Sequence, residues 1–251
     1  VTDTAFLEQY NRYQQRYRND VKESDKVILT LVGKFLENHP RGYTVSCLDI
    51  GCSTGNLLFH LKKAFPGLGL TGGDLAKSSI DVCKNDAELQ GINFEVMNML
   101  DIGYKNTFDV IIANAVAVYF DYDEYEQAAR SVYAALKDGG MFIAFEWLHP
   151  FEQDIKIIES SQSHPQGLKI YFRPYRKTRA VFEKCGFADI RFYPFSIPKD
   201  LNQGSAYLKN HNGFEDINSY TIKTSTGERL IFRGALYQPW CHLSARKHSS
   251  Q

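Results

Sequence analysis

The stretch LDIGCSTGN (48–56) sets two glycines, Gly51 and Gly55, just after an acid, Asp49. A second acid, Asp74, follows 25 residues after the first. Glycines at such a turn let the backbone approach a ligand and adopt positive φ. The dinucleotide pattern GxGxxG uses a turn of this kind to seat a pyrophosphate at a helix N-terminus. Here Ser53 and Asn56 stand where its second and third glycines belong. Asp49 would repel a pyrophosphate, whereas Asp74 can accept hydrogen bonds from two ribose hydroxyls. The pattern therefore asks for a nucleoside that carries cations rather than phosphates.

The elements around these residues must hold them at one edge of a sheet. The runs 43–51, 69–74, 93–100, 108–116 and 139–148 read as strands, and 56–65, 78–91 and 122–136 as the helices between them. Strands alternating with helices predict a doubly wound, mostly parallel sheet, a three-layer αβα sandwich. Ligands of such sheets bind at the carboxyl ends of the strands, where Asp49 and Asp74 fall. Two helices are predicted ahead of the sheet, one carrying Phe6, Tyr10, Tyr13 and Tyr17 at helical spacing, the other over 27–36. Beyond the fifth strand, 150–172 reads as loop with a short helix, 176–187 as helix and 188–195 as strand. SYTIKT and ERLIFRG around STG read as a hairpin, and 236–247 as a final strand with an antiparallel partner.

S-adenosylmethionine, with its adenine, ribose, sulfonium and ammonium, meets the demand of the acidic turn. The motifs also resemble, in order, those of the class I (Rossmann-like) S-adenosylmethionine-dependent methyltransferases: LDIGCSTGN, LTGGDLAKSSI, VMNMLDI, FDVIIANAVAVYF and LKDGGMFIAFEW, over roughly residues 18–195. The resemblance implies a seven-stranded sheet whose last strand is antiparallel, a lid from residues 1–40, and a methyltransferase domain over 41–251 with insertions near 150–172 and 196–233, the second holding a small β-hairpin. It implies that Gly51, Cys52, Ser53 and Gly55 pass the methionine part, that Asp49 holds its ammonium and Asp74 the ribose. Leu75 and Met99 would sandwich the adenine with Asn98 at its edge, and Asn114 and Ala115 would lie beside the transferred methyl. Two departures stand out: Ser53 replaces a glycine, and Asn98 replaces a frequent aspartate.

Methyl transfer from a sulfonium is an in-line displacement that needs alignment and removal of the acceptor's proton. FEWLHPFEQD (145–154) is the richest stretch for a base. His149 is the first choice because imidazole titrates near neutrality, with Glu146 as a second group. Tyr17, Tyr119, Trp147 and Arg173 are candidates for the acceptor pocket, and Phe120 and His164 lie near them. Glu146, His149 and Glu152 lack a further ligand for a metal site, so no metal is expected. The alternatives are a nicotinamide-dependent oxidoreductase on a similar sheet and a non-catalytic module that keeps the donor pocket.

Composition narrows the partners. Lys+Arg and Asp+Glu both number 29, so nothing in the charge favours nucleic acid or a membrane surface. The NPPY signature of base N-methylating enzymes is absent, since NAVA (114–117) stands there. The five cysteines (47, 52, 83, 185, 241) show no CxxC spacing, which suits a reducing compartment. With no long apolar span and no signal-peptide pattern, the expectation is a cytoplasmic monomer or homodimer that methylates O or N of a small molecule.

Overall fold

The run FDVIIAN illustrates how the sequence builds the sheet. Val110 and Ile112 point to one face and Ile111 and Ala113 to the other, and all four are buried. Such a strand must lie mid-sheet with helices on both sides. In the computed structural model, which describes residues 18–40, 42–159, 166–196, 219–223, 227, 229–233 and 238–248, it is β4 (Phe108–Asn114) and lies between β1 (Ser46–Ile50) and β5 (Leu136–His149).

β2 (Gly69–Asp74) and β3 (Asn93–Val96) extend the sheet beyond β1, all parallel. On the other side β11 (Trp240–Lys247) inserts antiparallel between β5 and β8 (Phe187–Pro194). The main path is thus β3-β2-β1-β4-β5-β11-β8, seven strands with the last strand of the chain antiparallel, as the resemblance implied. One face is covered by α1 (Glu23–Leu36), α2 (Asn56–Ala64) and α3 (Lys77–Asn85). The other is covered by α4 (Tyr122–Ala135) and α5 (Tyr175–Lys184).

Three expectations are corrected. The described residues of 150–172 hold no helix: β6 (Ile155–Glu159) and β7 (Leu168–Pro174) form an antiparallel pair, and β7 joins the end of β5 through Leu148 and His149. Leu168, Ile170 and Phe172 alternate at period two, a strand signal hidden by the polar residues around it. The helix expected over 78–91 ends at Asn85, and a 3-10 turn, Ala87–Leu89, follows, capped by Asp86 accepting from Glu88 N at 2.9 Å. The third strand ends at Val96, because Asn98 starts a tight turn: its carbonyl accepts from Asp101 N at 3.0 Å and its side chain from Leu100 N at 3.0 Å.

The chain divides into two compact units. One comprises 1–195 and 239–251 and contains the sheet. The other, 196–238, contains an antiparallel pair, β9 (Ser219–Lys223) with β10 (Arg229–Arg233), the hairpin expected around STG. The aromatic stripe of Tyr10, Tyr13 and Tyr17 lies outside the described residues, as does His164.

Candidate active site

The glycine turn leaves β1 and is fastened to the end of β2. Gly51 N and Cys52 N both donate to the carbonyl of Gly73, at 2.7 and 3.0 Å. Gly51, Ser53 and Gly55 all take positive φ, at 79°, 49° and 73°. A side chain is rarely tolerated there, and Ser53 is held by its surroundings: its N–H donates to Asp74 Oδ2 at 2.8 Å and its carbonyl accepts from Cys83 Sγ at 3.2 Å. The other Asp74 oxygen accepts from Ala76 N at 2.8 Å. Gly51 is also fixed by space, since a Cβ there would lie 2.4 Å from Val116 Cγ2.

Beside this turn a cleft of about 400 Å³ opens at the carboxyl ends of β1 and β4. Asp49 forms part of its wall, only 2 % exposed, and its Oδ1 has no hydrogen-bond partner among the described residues. Burial drives the Asp49 carboxyl well above the usual carboxylate range, and the charges of Asp25 and Asp74 push the same way. Asp25, from the first turn of α1, also lines the cleft and is 3 % exposed. Its Oδ1 accepts from Asn114 Nδ2 at 3.0 Å. Burial raises the Asp25 carboxyl as well, opposed by Lys22 and by the Asn114 hydrogen bond. Next to Asn114, Ala115 takes a φ of 59°, a strained conformation of the kind that gathers at ligand sites.

Part of the wall is aromatic. Phe145 of β5 stacks on Trp240 of β11 with ring centroids 4.5 Å apart, and Phe195 meets Phe145 edge-on at 5.3 Å; all three line the cleft. Behind them His242 packs on Phe145 at 4.4 Å, and its Nε2 donates to the carbonyl of Ser24 at 2.9 Å. Burial lowers the His242 pKa to about 4, so the ring is neutral near pH 7. Trp147 forms a further row, 4.5 Å from Phe172 and 4.9 Å from Trp240.

Of the residues singled out from sequence, Asp49, Gly51, Cys52, Ser53, Asn114 and Ala115 line the cleft, and Gly55 ends the same turn. Asp74 stands behind Ser53. Leu75 follows it, 70 % exposed, while Met99 is buried in the core under α4 and Asn98 is exposed at its turn. The expected sandwich of adenine between Leu75 and Met99 is therefore not preformed.

The bases expected from sequence are not among the residues of the cleft wall. Glu146 alternates with Phe145 and so faces α4, where its Oε1 accepts from Ala117 N at 3.1 Å. Burial raises its pKa to about 8. His149 is buried at the end of β5 beside β7, and burial lowers its pKa. Arg173 is also buried: its guanidinium donates to the carbonyls of Ala117 (3.1 Å) and Phe120 and lies 4.1 Å from the ring centroid of Tyr125. It fastens the turn after β4. Tyr119 in that turn is 48 % exposed and off the cleft; Tyr17 lies outside the described residues. Among the described residues no His, Cys, Asp and Glu converge as a metal site.

Asp25, Phe145, Phe195 and Trp240 join the cleft without having been expected there. Asp25 had left a signal: it shares the face of α1 that carries Ile28, Val32 and Phe35, where a carboxylate has no place unless something pairs with it. The three aromatic residues read only as strand core.

Residues 47–140 match the family of methyltransferase domains. The chain is 29% identical over 178 residues to a carboxy-S-adenosyl-L-methionine synthase of Campylobacter lari, covering 68% of this chain and 70% of that protein. It is 21% identical over 155 residues to a malonyl-[acyl-carrier protein] O-methyltransferase of Bacillus cereus, covering 62% of this chain and 57% of that protein. Among solved structures, an S-adenosylmethionine-dependent methyltransferase of Methanosarcina mazei superposes with a TM-score of 0.55 at 15% identity, over 86% of this chain and 97% of that one. Residues 47–140 are thus matched as a methyltransferase domain, and the chain shares its fold with solved S-adenosylmethionine-dependent methyltransferases. No helix among the described residues is long and apolar enough to cross a membrane.

Proposed function

We propose that this enzyme transfers a methyl group to O or N of a small-molecule acceptor held against Phe145, Phe195 and Trp240. The observation that carries the reading is Asp49, a buried carboxylate on the cleft wall with one oxygen unpartnered. A charge left this way is costly unless it meets an opposite charge. S-adenosylmethionine fits: when bound, it supplies the methyl on a sulfonium, and its α-ammonium is the cation that Asp49 lacks. The first turn of α2, whose residues Asn56 and Leu57 line the cleft and whose cap gives no side-chain hydrogen bond, offers backbone N–H groups to its carboxylate. Each Asp74 oxygen accepts one backbone hydrogen bond and keeps capacity for the ribose hydroxyls. Exposed Leu75 gives the adenine an apolar surface.

The acceptor side needs alignment above all. The stacked rings of Phe145 and Trp240 form a rigid wall beside Asn114 and Ala115. Glu146 and His149 lie off the cleft, so the reading places the rate in positioning and leaves the acceptor's proton to solvent. The test is transfer of radiolabelled methyl from S-adenosylmethionine to a panel of phenols, amines and carboxylic acids. Label in a phenol or amine supports the reading.

The names of the two relatives favour a second reading, in which donor or acceptor carries a carboxylate. Lys22 on the cleft wall is the described cation that would meet it, but Asp25 and Asp49 oppose it. Label found only in carrier-bound acyl groups, or turnover only with a carboxylated donor, would favour this second reading.

A further inference from the structure

We propose that Asp25 of α1 is a second carboxylate for the donor's α-ammonium, lining the same cleft as Asp49, so that the donor ties α1 to the sheet. The inference rests on the reading of the cleft as the donor site. Asp49 projects from β1 and Asn114 from β4 toward the face that α1 covers, and Asp25 reaches down to Asn114 at 3.0 Å. Both acids are almost wholly buried and both line the same 400 Å³. The charges that act on Asp49 are Asp25 and Asp74, both negative. Lys22 acts on Asp25 instead. Two buried like charges at one site are stable only with a proton or a cation between them.

The geometry favours the ammonium over the sulfonium. An ammonium brings three N–H donors, enough for Asp25, Asp49 and one more acceptor. A trialkyl sulfonium brings none and cannot satisfy the unpartnered Asp49 Oδ1. The first turn of α1 is already held at two points, by Asn114 on Asp25 and by His242 on the Ser24 carbonyl. The ammonium adds a third, at the centre of the site. A donor analogue without the amino acid would forgo it.

The test compares S-adenosylhomocysteine, which keeps the ammonium, with 5′-methylthioadenosine, which lacks the whole amino-acid part. Asp25→Asn keeps an oxygen for Asn114 and removes the charge. Calorimetry should show S-adenosylhomocysteine weakened by about 10- to 100-fold, the range for a lost hydrogen bond to a charged group, with 5′-methylthioadenosine little changed. Equal weakening of both ligands, or of neither, overturns the assignment. Asp25→Glu, which restores the charge, should recover part of the loss; no recovery in a folded Asp25→Glu protein counts against the proposal. Wild-type protein that binds neither ligand would instead overturn the donor-site reading itself.

Discussion

Asn114 Nδ2 donates to Asp25 Oδ1 across 3.0 Å, joining the carboxyl end of β4 to the first turn of α1. The bond links residues 89 positions apart and closes one wall of the cleft. It places a carboxylate from outside the sheet next to Asp49, and it makes the seat of α1 part of the active site. The consequences of this arrangement are measurable.

Asp74 has a double task, holding the N–H groups of Ser53 and Ala76 and facing the proposed ribose position. Asp74→Ala should therefore weaken S-adenosylhomocysteine by at least about tenfold and cost about 1–3 kcal/mol of stability, since two backbone donors lose their acceptor. Calorimetry and urea denaturation read the two effects separately. A variant that binds as wild type does would remove Asp74 from the donor site.

Gly51→Ala combines two penalties. The φ of 79° costs an L-residue about 1–2 kcal/mol, and the new methyl meets Val116 Cγ2 at 2.4 Å, an overpacking worth about 1–3 kcal/mol. Adding Val116→Ala should relieve the second penalty and leave the first. Urea midpoints of the two variants against Val116→Ala alone decide this.

The pH dependence of stability follows from Glu146. Burial raises its folded pKa to about 8, above the ordinary glutamate value of 4.5. Between these values the unfolded chain has released the proton while the folded chain keeps it, so raising the pH favours unfolding. Glu146→Gln keeps an acceptor for Ala117 N and removes the titration. The melting temperature of the variant should rise relative to wild type as pH goes from about 4.5 to about 8. A constant difference across that window would mean that Glu146 is charged in the folded protein.

Trp240→Ala removes half of the stacked pair on the acceptor side and leaves the glycine turn untouched. S-adenosylhomocysteine should bind nearly as before, while methyl transfer falls at a fixed acceptor concentration. Loss of donor binding instead would place the aromatic wall against the donor.

The sheet and the glycine turn were legible because their signals are local. The continuous apolar run of β4 and the Asp49–Gly51–Gly55 spacing need only a few neighbouring residues to be read. Asp25 and the aromatic wall depend on which distant elements meet. Trp240 reaches the cleft only because β11 inserts beside β5, and nothing near Trp240 announces that. Period two says that Phe145 and Glu146 face opposite sides of β5 but not which side holds the cleft, and it is Phe145 that lines it. β6 and β7 escaped notice because the polar residues around them, with Pro150, Pro165 and Gly167, dominate the composition of 150–172.

The central claim is that this acidic, glycine-lined cleft receives S-adenosylmethionine. Calorimetric titration of the wild-type protein with S-adenosylmethionine, S-adenosylhomocysteine and NADH tests it most directly. Saturable binding of the first two and none of NADH is expected. Binding of NADH alone, or silence toward both adenosyl ligands in a folded protein, would contradict it.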